Sequence, residues 1–376
     1  MKDTINVVGF PTRLGLRHHR HYPDSSAAAV RAIDTEFAEI VAKVVTTELN
    51  LGVGSGCVNP YVPDVAPAGS STGSAVSVTA NICDISLGTD VLGSIRWPAG
   101  NCGAVGLRTT CDRADLHGIF PLSPQMDALG WVTRSAEDLF FLWQLLRLGG
   151  QERSAIAPLG RCQVSVVENA FDGGCCHPEM RDALHLACRL LEDAGHHIRS
   201  VRLDDLWAQR EAAWQLCARE AWDGYRLWQK WMKTELSEST QAALEIGARI
   251  DDQSYGRILD RLAACRKDIE SRFDAESAEI WLLPLHPTPP RSLRDAVMPK
   301  STIPASDQPD YEQRLGYTPI ASFAGLPAIT MPIKRSEVSG APLAIQMLGR
   351  PHRETQLIAI AADLERVRGD LRWNPS

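Results

Sequence analysis

Gly69-Ser70-Ser71-Thr72-Gly73-Ser74-Ala75-Val76, then Leu87-Gly88-Thr89-Asp90-Val91-Leu92-Gly93-Ser94-Ile95-Arg96-Trp97-Pro98-Ala99, then Cys102-Gly103-Ala104-Val105-Gly106-Leu107-Arg108-Thr109-Thr110, is the least ordinary stretch of the chain. Glycine stands at 69, 73, 88, 93, 100, 103 and 106, separated mostly by Ser, Ala and Thr. So many glycines weaken any helix or strand they occupy, and they imply close backbone approaches or unusual dihedrals. Gly69 to Gly73 satisfies G-x-S-x-G, the elbow that presents Ser71 as a nucleophile in α/β-hydrolases. That elbow follows a buried strand, whereas Pro63 and Pro67 exclude a central strand just upstream. A phosphate-cradling loop would need G-K-[ST] and basic surroundings, and the stretch has neither.

The whole chain has 376 residues, enough for one large α/β domain or two ordinary ones. With 39 Lys+Arg against 46 Asp+Glu the net charge is −7, which provides no electrostatic footprint for nucleic acid. Hydrophobic residues at 44% and charged residues at 23% match folded soluble chains rather than disordered ones. The ten cysteines contain no CxxC pair and read as reduced thiols of a cytoplasmic protein. His18-His19-Arg20-His21 has no second ligand cluster, so it reads as a solvated loop and not as a metal site. No apolar run approaches the ~18–20 residues that cross a bilayer, and Met1-Lys2-Asp3 does not open a signal peptide.

Periodicity supplies the coarse architecture. Val30, Ile33, Phe37, Ile40 and Val41 predict a helix over 27–43, behind Ser25 and Ser26. Ser135, with Asp138 three residues on, caps a helical run through Leu139, Trp143 and Leu146. Strand-like Gln163 to Val167 precedes a helix from Glu179 to Ala194 closed by Gly195, and His197 to Leu203 is again strand-like. Helical stretches follow around 205–232 and 254–273. Later strands are Glu279 to Leu285, Pro327 to Ile333 and Leu343 to Leu348, and a last helix runs from Glu354 to about Val367. Strands separated by helices argue an α/β sheet in one domain, since no repeat or linker divides the chain. Trp207, Trp214, Trp222, Tyr225, Trp228 and Trp231 share one helical stretch, either as core packing or as the wall of an aromatic substrate channel.

The three quoted segments strongly resemble the amidase signature family, whose core reads GGSSGGSA, then GTDTGGSIRxPA, then CGxxGLKPT. Lys2-Asp3 with Gly9-Phe10-Pro11-Thr12, Gly325-Leu326-Pro327-Ala328, and Leu343 to Gly349 extend the likeness over nearly the whole chain. The resemblance implies a single large α/β domain over 1–376 with a mixed twisted β-sheet flanked by helices on both faces. It also implies a signature core at about 69–110 and a variable, substrate-selecting helical region at about 204–275. The implied activity is hydrolysis of a carboxylic amide C–N bond in a small molecule, with no metal or organic cofactor, by a monomer or homodimer. Ser94 takes the place of the nucleophile, Ser70 of the bridging serine with a cis peptide bond, and Lys2 of the base. Backbone amides of Val91, Leu92, Gly93 and Ser94 would form the oxyanion hole. Asp90 and Arg96 would steady the loop. Two other readings stand beside this one: an amidotransferase-like subunit that releases ammonia from glutamine for a partner, and a catalytically inactive binding protein.

The chemistry has its own logic. A serine hydroxyl is a weak nucleophile until a base takes its proton, and lysine does so only when neutral. At an ordinary pKa of about 10.4, roughly one lysine in a few thousand is neutral at pH 7, so burial or a nearby cation must lower it. A hydroxyl placed between the two relays the proton. Three positions depart from the family pattern: Ala68, Thr72 and Leu92 replace glycines. Leucine at 92 would be strained if that position needs a positive φ, and it would narrow the acyl pocket. Lys2 is the second residue here, where family members carry a helix and a strand before it. The expectation is therefore an N-terminally short fold whose base lacks ladder hydrogen bonds and cover. Cys102 reads as inert filler.

Overall fold

The computed structural model describes residues 1–33, 38–52, 54–112, 114–146, 160–232, 235–293, 308 and 310–371. Eight strands make one mixed sheet: β1 Ile85–Asp90, β2 Val105–Arg108, β3 Ala128–Thr133, β4 Gln163–Val167, β5 His197–Val201, β6 Ile280–Pro284, β7 Ala328–Arg335 and β8 Pro342–Gly349. Their order is β1-β3-β2-β7-β8-β6-β4-β5. The pairings of β4 with β5 and β6 are parallel, and the others are antiparallel.

Alternation along the central strands explains the helices on both faces. Ile280 and Leu282 of β6, with Ile329 and Met331 of β7 and Ile345 and Met347 of β8, join a core closed by helices Pro178–Asp193 and Glu354–Arg368. Trp281 and Leu283, with Ala328 and Leu348, point the other way, against Phe273, Ile320 and Ala324. Both faces are buried, so these strands read as continuous apolar runs. Local signals set several helix starts: Ser135 Oγ accepts from Asp138 N at 2.9 Å, and Asp251 Oδ1 from Ser254 N at 2.6 Å. Among the described residues no helix is long and apolar enough to cross a membrane.

Two expectations give way. The helix expected over 27–43 is limited to Ala28–Arg31, and Phe37 lies outside the described residues. Around 42–44 the backbone is instead hydrogen-bonded to the N-terminal residues, with Met1 N donating to Ala42 O, Val44 N to Met1 O and Asp3 N to Val44 O. These long-range bonds outweigh a five-residue apolar pattern. The glycine-rich segment, where regular structure looked weak, forms β1, β2 and the helices Thr72–Thr79 and Arg96–Asn101. Its glycines are contact surfaces. A Cβ on Gly88 would lie 2.7 Å from Ile95 Cδ1, and one on Gly130 in β3 would lie 2.3 Å from Ile95 Cγ1, so Ile95 is fully buried on a floor only glycine provides.

Candidate active site

Lys2 is held by its backbone before its side chain does anything. Its N–H donates to Leu87 O at 2.8 Å, and the residue bridges Val44. The side chain is 0% exposed, and Nζ donates to Ser70 Oγ at 2.8 Å and to Thr89 Oγ1 at 2.9 Å. The expectation of a base without cover is therefore overturned: β1 and the segment around Val44 supply both ladder contacts and burial. Burial lowers the amine to a pKa of about 7, against the opposing pull of the Asp127 and Asp90 carboxyls.

Ser70 is buried, and the Gly69–Ser70 peptide is cis, as the resemblance implies. Its carbonyl accepts from Thr46 Oγ1 at 3.0 Å and Thr47 N at 3.3 Å. Ser71 N donates to Ser94 O at 3.0 Å, which ties the serine-rich turn to the loop after β1. Ser71 Oγ is buried and donates to Thr89 O at 3.0 Å, a structural role incompatible with a nucleophile elbow. Ser94 is only partly buried and opens onto a cavity of about 270 Å³.

The loop that carries Ser94 turns around Asp90. Its carboxylate accepts from Gly93 N at 2.9 Å, Ile95 N at 3.2 Å and Arg96 N at 3.3 Å. Arg96 clasps it bidentately, Nε at 3.0 Å and Nη2 at 2.9 Å, and Arg108 Nη1 reaches it at 3.3 Å. Burial pushes the Asp90 carboxyl up, but the two guanidiniums outweigh it and hold the group well below the usual carboxylate range. Arg96 also donates to Thr318 O, Gln346 Oε1 and Ser322 Oγ, joining the loop to distant segments. Gly93 was expected among the oxyanion donors, yet its N–H is committed to Asp90. The left-handed φ of 115° falls on Gly93, where a Cβ would meet Thr318 Oγ1 at 2.8 Å, and Leu92 does not adopt a positive φ. Strain sits instead at Ala68, whose φ of 62° costs an alanine about 1–2 kcal/mol.

Of the six aromatics on the helical stretch, Trp214 alone among the described residues lines the cavity. Trp207 packs on Tyr317 beneath the Arg210 guanidinium, and Trp228 and Trp231 are 37% and 40% exposed. His19 is buried edge-on against Trp231, with ring centroids 4.4 Å apart, which corrects the solvated-loop reading for that residue. Among the described residues no group of three His, Cys, Asp or Glu is placed to hold a metal. Cys102 is buried, and its thiol is pushed up by burial.

Four supporting side chains escaped the sequence reading: Thr89, Arg108, Asp127 and Thr318. Lys2 lies 87 residues from Thr89 and Thr318 lies 226 from Leu92, so spacing carries no signal of these contacts, and the local turn around Asp127 does not show that it faces the base. Asp127 has the most bearing on the base. The register pairs Thr89 with Leu129 and Asp90 with Ala128, which puts Asp127 on the face of the sheet that bears Thr89. Its Oδ2 accepts from Leu122 N at 2.9 Å and Ser123 N at 3.0 Å, while the buried Oδ1 has no hydrogen-bond partner. Burial raises this carboxyl to about 7, opposed by the two N–H donors and Lys2, with Glu220 adding to the rise. A negative charge there stabilises the Lys2 ammonium. Asp127→Asn should therefore move the acid limb of the kcat/KM profile to lower pH, because the carboxylate's pull on the ammonium is lost. An unmoved limb would reduce Asp127 to a turn-former.

Comparison with known proteins gives the family. The family model described as Amidase matches residues 1–358. The 2-amino-5-chloromuconic acid deaminase of Comamonas testosteroni is 28% identical over 407 residues, covering 98% of this chain and 81% of that protein. A glutamyl-tRNA(Gln) amidotransferase subunit of Akkermansia muciniphila is 28% identical over 410 residues, covering 95% of this chain and 84% of that protein. A crystal structure of an amidase superposes with a TM-score of 0.81 at 28% identity, over 97% of this chain and 83% of the other. The chain thus belongs to the amidase family of amide-hydrolysing enzymes.

Proposed function

We propose that Ser94 is acylated by a small carboxamide, with Ser70 and Lys2 relaying its proton, and that water then releases the acid. The observation that carries this reading is the buried contact of Lys2 Nζ with Ser70 Oγ at 2.8 Å, beside a Ser94 open to the cavity. Neutral Lys2 accepts the proton of Ser70 Oγ as Ser70 takes that of Ser94. Ser94 Oγ then bonds to the carbonyl carbon, and the amide nitrogen leaves with the proton returned along the same path. Water, deprotonated by the same relay, attacks the acyl carbonyl and frees Ser94. The amides of Val91, Leu92 and Ser94 are the donors for the oxyanion, because Asp90 holds that of Gly93.

The base must be unprotonated, and its pKa is about 7, so kcat/KM should climb from acid through about pH 7 and then level. Trp214, Cys217 and Ala218 reach the cavity from the helix Arg210–Met232, which supports a substrate-selecting role for about 204–275. All ten cysteines are unpaired, which supports a reducing compartment such as the cytoplasm. The test is an acyl-phosphonate or sulfonyl-fluoride probe on wild type and Ser94→Ala. Stoichiometric labelling of wild type is expected, with none in the variant and amide hydrolysis at least about a thousandfold slower. Equal labelling would remove Ser94 from the chemistry, and a wild type that neither labels nor turns over amides would favour the inactive binding protein.

A further inference from the structure

We infer that the acyl group this cavity takes is apolar and free of positive charge, as in an aryl or branched-alkyl carboxamide, and is not that of an amino-acid amide such as glutamine. The inference rests on Ser94 being the acylated residue. From Ser94 one wall runs through Val91, Leu92, Leu122, Trp214, Cys217 and Ala218. None of these side chains presents a charge. The Trp214 indole N–H is already donated to Leu315 O at 3.0 Å, so the ring offers a fixed apolar face. The Cys217 thiol is pushed up by burial and stays protonated. The lining also includes Leu285 and the edge-on pair Trp97 and His286; burial lowers the imidazole to about 4, so it too is neutral at pH 7.

The charges that line the cavity, among the described residues, are Arg291 and Arg314, and no carboxylate lines it. Glutamine's α-carboxylate can pair with Arg291 or with Arg314, which already lies 3.9 Å from Asp310, but its α-ammonium would leave water with no carboxylate in the lining to receive it. An uncharged ring has the reverse balance, because it covers the apolar wall of Val91, Leu92, Leu122 and Trp214 without stranding a charge. Size agrees. An apolar cavity of about 150 Å³ holds benzene, and the 270 Å³ here admits a ring together with its carboxamide. Leu92 contributes to this selection directly, since it lies next but one to Ser94 and replaces a glycine of the family pattern with a branched apolar side chain.

The experiment compares kcat/KM of the full chain for benzamide, isobutyramide, glutamine and 4-aminobutyramide at pH 8. Benzamide and isobutyramide are expected to exceed both ammonium-bearing amides by at least about a hundredfold, the scale of one unpaired buried charge. Glutamine turned over as well as benzamide would overturn the inference and leave the hydrolase reading standing. If the protein hydrolyses none of the four, the hydrolase reading fails, and calorimetric titration with benzamide and glutamine still decides the cavity, with tighter glutamine overturning the inference. Ala218→Asp puts a carboxylate on the apolar wall. It should shift the ratio of 4-aminobutyramide to benzamide at least about tenfold toward the cation, and an unchanged ratio in a folded variant would count against the assignment.

Discussion

Lys2→Met should lower kcat/KM for any amide that the protein hydrolyses by about three orders of magnitude or more, with the fold intact. General-base assistance contributes about 10²- to 10⁴-fold on its own, and here Ser70 Oγ meets Lys2 Nζ directly. The stability side comes from the same burial. Between about pH 7 and 10.5 the unfolded chain holds a proton on this amine that the folded chain does not. Stability therefore falls as pH drops through that window, and the cost, on the order of 5 kcal/mol, is complete below pH 7. Methionine removes that cost but also the hydrogen bonds to Ser70 and Thr89, worth about 1–3 kcal/mol each when their loss leaves a buried hydroxyl unsatisfied. The two effects nearly cancel near neutrality, so the melting temperature should move by only a few degrees. Relative to wild type, the variant should look more stable at pH 6 than at pH 9. Stopped assays and thermal melts at both pH values check this; a methionine variant with a tenth of wild-type activity would exclude Lys2 as the base.

Arg96→Met is the second large effect, and it strikes stability as well as rate. Asp90 and Arg96 are both fully buried, and the guanidinium makes five hydrogen bonds, two to Asp90 and one each to Thr318 O, Gln346 Oε1 and Ser322 Oγ. Methionine has similar length but leaves the Asp90 carboxylate facing Arg108 alone. Removing one partner of a buried pair costs about 3–5 kcal/mol, much of it from the stranded charge. The same carboxylate aims Gly93 N and Ile95 N, so the turn around Ser94 loosens and activity falls even where the variant stays folded. Urea unfolding should show the midpoint reduced accordingly, with Arg96→Lys intermediate, because an ammonium keeps the charge but not the fork. An Arg96→Met variant with wild-type midpoint and turnover would mean that the ion pair is incidental.

How much of this was legible beforehand differs from element to element. The strands Gln163–Val167 and Ile280–Pro284 and the helix Pro178–Asp193 stand out in the sequence because one apolar period and a clear cap or turn run through each. The helix Glu238–Ala248 gives no such signal, because its apolar positions are mostly alanine, and it packs on Arg210–Met232 through small residues such as Gly247, where a Cβ would come within 1.9 Å of Ala218 O. The aromatic run left core packing and a channel wall both open. A helix turns about 100° per residue, so six rings cannot share one face, and among the described residues Trp214 is the ring of this run that reaches the cavity.

The sequence by itself determined the local events: the caps, the strand runs, and the serine, glycine and lysine positions whose order resembles the amidase signature. Those depend on residues within a few positions of each other or on a fixed ordering along the chain. Only the tertiary structure decided that Lys2 is covered, that Asp90 takes the amide of Gly93, and that Asp127 shares a sheet face with Thr89. Burial, electrostatic coupling and the choice of hydrogen-bond partner depend on what the folded backbone brings within a few ångströms: Lys2 meets Ser70 and Thr89 across 68 and 87 residues, and even Asp90 and Gly93, three apart, meet only because the loop turns back.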